Sequence, residues 1–215
     1  MFRLLSCGNK GPTPLRLEDE RVMIRPPNQD DWRGWGGLRA ASREFLRPWE
    51  PAWPEDALTR DVFERRVRFQ HREWQEGRSF SFLTFDRRSN ALVGGLHLGN
   101  IRRGAQLAAS LGYWIGQPYA RCGYMTAAAR LAIGFAFSTL GLHRVEASCL
   151  PDNLASRALL EKLGFVQEGL ARRNLLINGD WRDHLLFAVL AEEWQVLGSG
   201  SNELGSTSVH PDGPP

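Results

Sequence analysis

Hydrophobic positions recur along this chain with two periods, and the switches between them lay out its elements. Val22 and Ile24 alternate with charged neighbours, which predicts a first strand. Asp30 and Asp31 then offer an N-cap and first-turn carboxylates for a helix running to about Arg43. Its Gly34, Gly36 and Gly37 weaken it by about 1 kcal/mol each relative to alanine. Residues 59–75 read as a second helix, with Val62, Phe63, Val67 and Trp74 as core positions. Residues 80–85 and 92–101 read as strands around the turn Asp86-Arg87-Arg88-Ser89-Asn90, and residues 107–115 as a third. The segment 125–140 is apolar nearly all round, so a helix there must be buried on more than one side. A strand at 145–150, a helix opening at 151–156 and a closing hairpin follow, residues 170–177 and 181–189 joined by Asn178-Gly179-Asp180. The order is strand, two helices, three strands, helix, strand, helix, two strands: a mixed α/β domain.

Composition narrows the setting. At 215 residues the chain fits one domain that can bury its own core without disulfides or metal. Residues 1–14, with Gly8, Gly11, Pro12 and Pro14, read as a flexible leader, residues 15–196 as the domain, and residues 197–215 as a disordered tail. Cys7, Cys122 and Cys149 are too scattered for a disulfide framework or a zinc site, which suits a reduced, cytoplasmic setting without a metal. No apolar run approaches bilayer length and the first residues turn polar too soon for a signal peptide, so no membrane association is expected. The net charge of +3 is modest and carried almost wholly by arginine, Lys10 and Lys162 being the only lysines. That is not the basic stripe of a nucleic-acid binder, but it suits a protein that handles a polyanionic ligand, as a monomer or homodimer.

The richest stretch is 111–165. A strand feeding through a glycine turn (117–124) into a helix leaves several backbone N–H groups unpaired, backed by the positive end of the helix dipole. Such a place binds anions, and phosphate above all. Leu-Gly-Tyr-Trp-Ile-Gly (111–116), the turn Ala120-Arg121-Cys122-Gly123-Tyr124-Met125, and Asp-Asn-Leu-Ala-Ser-Arg-Ala-Leu-Leu-Glu-Lys-Leu-Gly-Phe (152–165) follow one another in the order of the acetyl-CoA-binding core of the GNAT (Gcn5-related) N-acetyltransferases, which this region resembles. The family's loop reads Gln/Arg-x-x-Gly-x-Gly/Ala. Here Gly123 is kept, while Ala120 and Met125 depart from the pattern at its first and last positions. Phe45-Leu46-Arg47-Pro48-Trp49-Glu50-Pro51, Leu142-His143-Arg144 and Leu176-Ile177-Asn178-Gly179-Asp180-Trp181-Arg182-Asp183-His184 resemble the RimJ-type branch, the ribosomal-protein alanine N-acetyltransferases. The likeness runs from about Leu17 to Trp194.

The resemblance implies a GNAT fold, a mostly antiparallel central sheet with splayed strands flanked by helices, that binds acetyl-CoA as co-substrate. It implies contacts to that molecule from Trp114, Ile115, Gly116, Arg121, Cys122, Gly123, Tyr124, Met125, Thr126, Asn153, Ser156 and Arg157, with Ser156 near the sulfur as proton donor to the departing thiolate. Asn153 reads equally well as a helix cap. Arg157 reads equally well as a solvated helix residue. Cys149 reads as a buried structural thiol with no His or Lys beside it in sequence to lower its pKa, so direct transfer to the amine is the simpler route. The acceptor is expected to be the N-terminal amine of a protein, a ribosomal protein first, with Trp49, Glu50 and Trp53 walling its groove. The alternatives are a small amine or a non-catalytic acyl-CoA-binding module. Glu50 and Glu146 are the candidate general bases, with His97, His143 and Asp183 behind them. An α-amine of pKa near 7.8 is about one-third neutral at pH 7.5, and a lysine amine only about 0.1 %, so an N-terminal acceptor needs little base catalysis.

Overall fold

The protein is described by a computed structural model over residues 15–199. One sheet holds β1 (Leu17–Glu18), β2 (Val22–Arg25), β3 (Phe80–Asp86), β4 (Leu92–Arg102), β5 (Ala108–Ile115), β6 (Arg144–Cys149), β7 (Val166–Ile177) and β8 (Asp180–Leu190), in the order β1-β2-β3-β4-β5-β6-β8-β7. The helices are α1 (Trp32–Ala41), α2 (Arg43–Leu46), α3 (Arg60–Gln75), α4 (Tyr124–Ser138), α5 (Leu154–Lys162) and α6 (Ala191–Ser199). All neighbouring strands are antiparallel except β5 and β6, which run parallel and pair only at Ala108↔Arg144, Ala109↔Val145 and Ser110↔Glu146. Beyond Ser110 the two strands part, giving the expected mostly antiparallel sheet with one splayed pair.

Strand alternation divides the core between the two faces of the sheet. Ile24, Phe80, Phe82, Leu96, Leu98, Ala109 and Leu111 meet α4, whose Met125, Ala128, Ala129, Ala132, Ile133, Phe135 and Ala136 are all buried, as a helix apolar nearly all round requires. Met23, Leu83 and Phe85 meet Trp35 of α1 and Phe63 and Val67 of α3 on the other face. The closing hairpin turns where the sequence places it: Asn178 (φ 48°) and Gly179 (φ 89°) both take the positive φ of a type I′ turn.

Three local readings are corrected. Asn28, not Asp30 or Asp31, caps the turn before α1, its side chain accepting the Asp30 amide at 3.0 Å, while the Asp31 carboxylate takes the Asn28 amide and both Arg25 guanidinium donors. The helix expected to reach Arg43 breaks at Ser42, whose hydroxyl accepts the amide of Gln117 at 2.9 Å. Helix α6 has no counterpart in the sequence reading and continues to Ser199, so the first residues of the expected tail, 197–199, are helical. The leader at 1–14 and the tail at 200–215 lie outside the described residues.

Candidate active site

The parting of β5 and β6 opens a gap whose β5 side carries backbone donors. Gly116 gives its amide to the Val93 carbonyl on β4 at 2.8 Å, so alternation back along β5 aims the amides of Ile115 and Tyr113 the other way, towards β6, where β5 has lost its partner. Ile115 and Tyr113 thus bring backbone amides to the gap, whereas the Trp114 amide is turned towards β4. The Trp114 ring packs on the α1/α3 face, with Arg39 stacked 4.8 Å from its centroid.

The glycine turn stands at the foot of this gap. Arg121 (φ 60°) and Gly123 (φ 81°) are both left-handed, and Gly123 is the N-cap of α4, offering no side chain to the first amides of the helix, those of Tyr124, Met125 and Thr126. A Cβ at Gly123 would lie 2.5 Å from the Arg21 guanidinium, which reaches over from just before β2 to donate to the Cys122 carbonyl at 2.6 Å. Left-handed backbone strains any side chain there, and Arg21 must move aside to admit one. Cys122 is exposed, and the Met125 side chain is buried in the core. The Tyr124 ring lies 5.9 Å from Arg21, and its hydroxyl donates to Asp86 at 2.8 Å. Bonds from the Ser89 hydroxyl and amide, with that of Tyr124, hold the Asp86 carboxyl down to about 2.

Across the gap stands α5. Asn153 caps it, its side-chain oxygen accepting the Ser156 amide at 3.1 Å. The Ser156 hydroxyl lies 2.6 Å from the Tyr113 hydroxyl of β5. Burial pushes the Tyr113 phenol well above its ordinary pKa, only partly offset by Ser156, so it stays protonated. Burial likewise raises the Cys149 thiol at the end of β6, which makes it a poor nucleophile. Arg157 reaches back towards the Pro151 carbonyl, and its Nε is buried without a partner among the described residues.

On the opposite face of the sheet lies a cavity of about 540 Å³ walled by α1, α3, the 50–58 loop and strands β3 to β5. Glu50 stands in its wall, paired with both donor nitrogens of Arg39 and accepting the Trp53 indole N–H at 2.8 Å. Arg39 is itself stacked between Trp53 (4.3 Å) and Trp114 (4.8 Å). Trp53 lines this cavity, whereas Trp49, in a short 3-10 turn, is not among its lining residues. His97 shares a 2.9 Å hydrogen bond with Ser81, and burial followed by the nearby Arg66 charge lowers its pKa, leaving it neutral. The two sites meet at β5: Gly112 lines the cavity, has nothing within 4 Å of where its Cβ would be, and adjoins Tyr113.

Glu146 sits where the strands begin to part, opposite Ser110, held by Arg102 and by Arg144, which also binds Glu168. Burial works to raise its pKa, but the two arginines outweigh that and hold it below the ordinary value. Of the reserve bases, His143 lies beside Glu192 and Asp183 accepts the Arg173 amide on the closing hairpin, and neither lines the cavity. Tyr113, Arg21, Arg39 and Arg66 went unnoticed in the sequence. Only Tyr113 left a signal there, since alternation puts it on the face of Ala109 and Leu111, opposite Trp114.

The geometry has parallels among known proteins. Residues 21–166 match the family model for the acetyltransferase (GNAT) domain. The [ribosomal protein uS5]-alanine N-acetyltransferase of Escherichia coli (strain K12) is 35% identical over 181 residues, 84% of this chain and 93% of that one. A crystal structure of ribosomal-protein-S5-alanine acetyltransferase from Vibrio fischeri superposes with a TM-score of 0.78 at 29% identity, over 84% of this chain and 98% of the other. Mycobacterium smegmatis RimJ in complex with CoA-disulfide gives 0.76 at 32% identity, over 87% of this chain and 93% of the other.

Proposed function

This chain belongs to the GNAT family and is an acetyl-CoA-dependent N-acetyltransferase, and from that premise we propose that its acceptor is the N-terminal α-amine of a protein, a ribosomal protein beginning with Ala or Ser in first place. The observation that carries the reading is the meeting of a one-sided gap and a half-open cavity at Gly112 and Tyr113, which lets two substrates approach β5 from opposite faces. The names of the E. coli and V. fischeri relatives support the acceptor class.

The residues present fit acetyl-CoA, which supplies an activated acetyl group. The amides of Tyr113 and Ile115 face the gap, the first amides of α4 lack a capping side chain, and Arg157 Nε lacks a partner among the described residues. In the proposed mechanism Arg121 and the amides of the 122–126 turn hold the diphosphate, and Asn153, Ser156 and Arg157 line the arm beyond it. Tyr113 and Ile115 contribute backbone amides that meet negative charge as it develops, while Trp114 and Gly116 hold β5 against β4. Tyr113, kept protonated by burial, donates to the Ser156 oxygen and leaves the serine O–H free to turn into the gap as proton donor. Glu50 has three donors on its carboxylate and one acceptor site left for an incoming ammonium. With Glu146 bound to two arginines and His97 to Ser81, the α-amine sheds its proton to cavity water, as its own pKa permits.

Mass-spectrometric mapping of peptides after incubation with acetyl-CoA tests the reading. Acetylation at the α-amine of peptides beginning with Ala or Ser is expected. Modification confined to lysine side chains, or to small-molecule amines, overturns the acceptor assignment.

A further inference from the structure

The charges of the acceptor cavity do not balance at one place. Its lining includes Arg39, Glu50, Asp56, Arg66 and His97. Arg39 is spent on Glu50 and sandwiched by tryptophans, His97 is neutral, and Asp56 lies in the exposed part of the 50–58 loop. Arg66, on α3, is left over. It sits 5.8 Å from the Trp35 ring and makes no ion pair or hydrogen bond among the described residues, while Glu64 on the same helix goes to Arg60 and Arg68. Burial, then the repulsion of Arg39, lowers its pKa, and Glu50 offsets this in part. The residue as a whole is exposed at the cavity rim, so an incoming group can reach it. An arginine placed so has five donors in a planar fork and is most favourably met by a carboxylate.

We propose that Arg66 is a specificity-determining residue, an anion subsite that selects acceptors carrying a carboxylate close behind the reacting amine. The inference rests on the acceptor reading above and deepens it. A carboxylate can come from an acidic side chain near a protein N-terminus or from a small amino-carboxylate, and both present the same group to the guanidinium.

The test compares peptide pairs that begin with Ala and differ only by Glu or Gln at positions two to four, with free acidic amino acids and dipeptides as a second arm, in the native enzyme and in Arg66→Gln and Arg66→Lys. The native enzyme is expected to favour one acidic peptide over its neutral twin by about tenfold, with the difference in KM rather than kcat, as loss of a binding contact shared by ground and transition states dictates. Arg66→Gln should collapse that ratio towards one and Arg66→Lys should restore part of it. Because the readout is a ratio within one enzyme preparation, a general folding defect leaves it unchanged. Equal KM values within every pair in the native enzyme, or a ratio untouched by Arg66→Gln, overturns the inference while the N-terminal reading stands. Acetylation of small amino-carboxylates alone, with an Arg66-dependent KM, sustains the anion subsite and overturns the protein N-terminus as acceptor.

Discussion

Ser156 and Tyr113 come from segments 43 residues apart, and the 2.6 Å bond between their hydroxyls bridges the gap between β5 and α5. If the pair passes a proton, Ser156→Ala should lower kcat by about tenfold or more and leave acetyl-CoA affinity nearly unchanged. The effect stays at the low end for acid catalysis because a thiol of pKa about 8.5 departs readily near neutral pH. Tyr113→Phe should act in the same direction, and the double variant should cost less than the two singles combined, because both act on one proton. Steady-state kinetics with a calorimetric Kd for acetyl-CoA checks this, and a fall in affinity at constant kcat would make Ser156 a binding residue only. Ser156 itself was singled out in the sequence only through the family resemblance. Its partner was not, since a side-chain contact between distant segments has no local pattern.

At the scale of elements, the turn into α4 shows how a feature located in the sequence can be constrained from far along the chain. Gly123 marks the turn in the sequence, but its neighbour in space is Arg21, just before β2, 101 residues from the Cys122 carbonyl it binds. Any side chain at position 123 pays about 1–2 kcal/mol for left-handed backbone and must also displace that guanidinium. Gly123→Val is therefore expected to raise the Kd for acetyl-CoA by about tenfold or more while the sheet stays folded. Arg21→Ala alone should weaken binding less, and the two changes should not add. Isothermal titration on variants of native circular dichroism decides this, and unchanged affinity in Gly123→Val would remove the turn from the cofactor site. The start of the helix before the 50–58 loop was misplaced for a related reason: Asn28 is the cap, and Asp31 completes its capping box while also binding Arg25 on β2.

Across the whole molecule, the shifted groups predict a stability profile with two limbs. The carboxyls of Asp86, Glu146 and Glu168 lie below their ordinary values and the His97 imidazole is lowered too, so each contributes stability that is present above its unfolded pKa and is lost as pH falls. Cys149 and Tyr113 are raised, so their contribution is full below about pH 8.5 to 10 and is lost as pH rises further. Asp86→Asn should accordingly destabilise the protein at pH 7, and that difference should shrink as pH approaches 2. Urea unfolding of both proteins at a series of pH values measures it, and a difference independent of pH would mean that the Asp86 charge is not what anchors Tyr124. The sequence by itself determined the order of the main elements from β2 to β8, the buried helix α4, the closing hairpin with its Asn-Gly turn, the glycine turn and the family, because each is written in periodicity or in residues close along the chain. Only the tertiary structure decided that the Trp114 ring faces α1 and α3, that Glu50 is bound to Arg39, that Trp49 stands outside the cavity and that Arg66, at its rim, has no ion pair among the described residues. Those facts depend on which faces of distant elements are brought together, and charge pairing across such faces follows from packing rather than from any local run of residues.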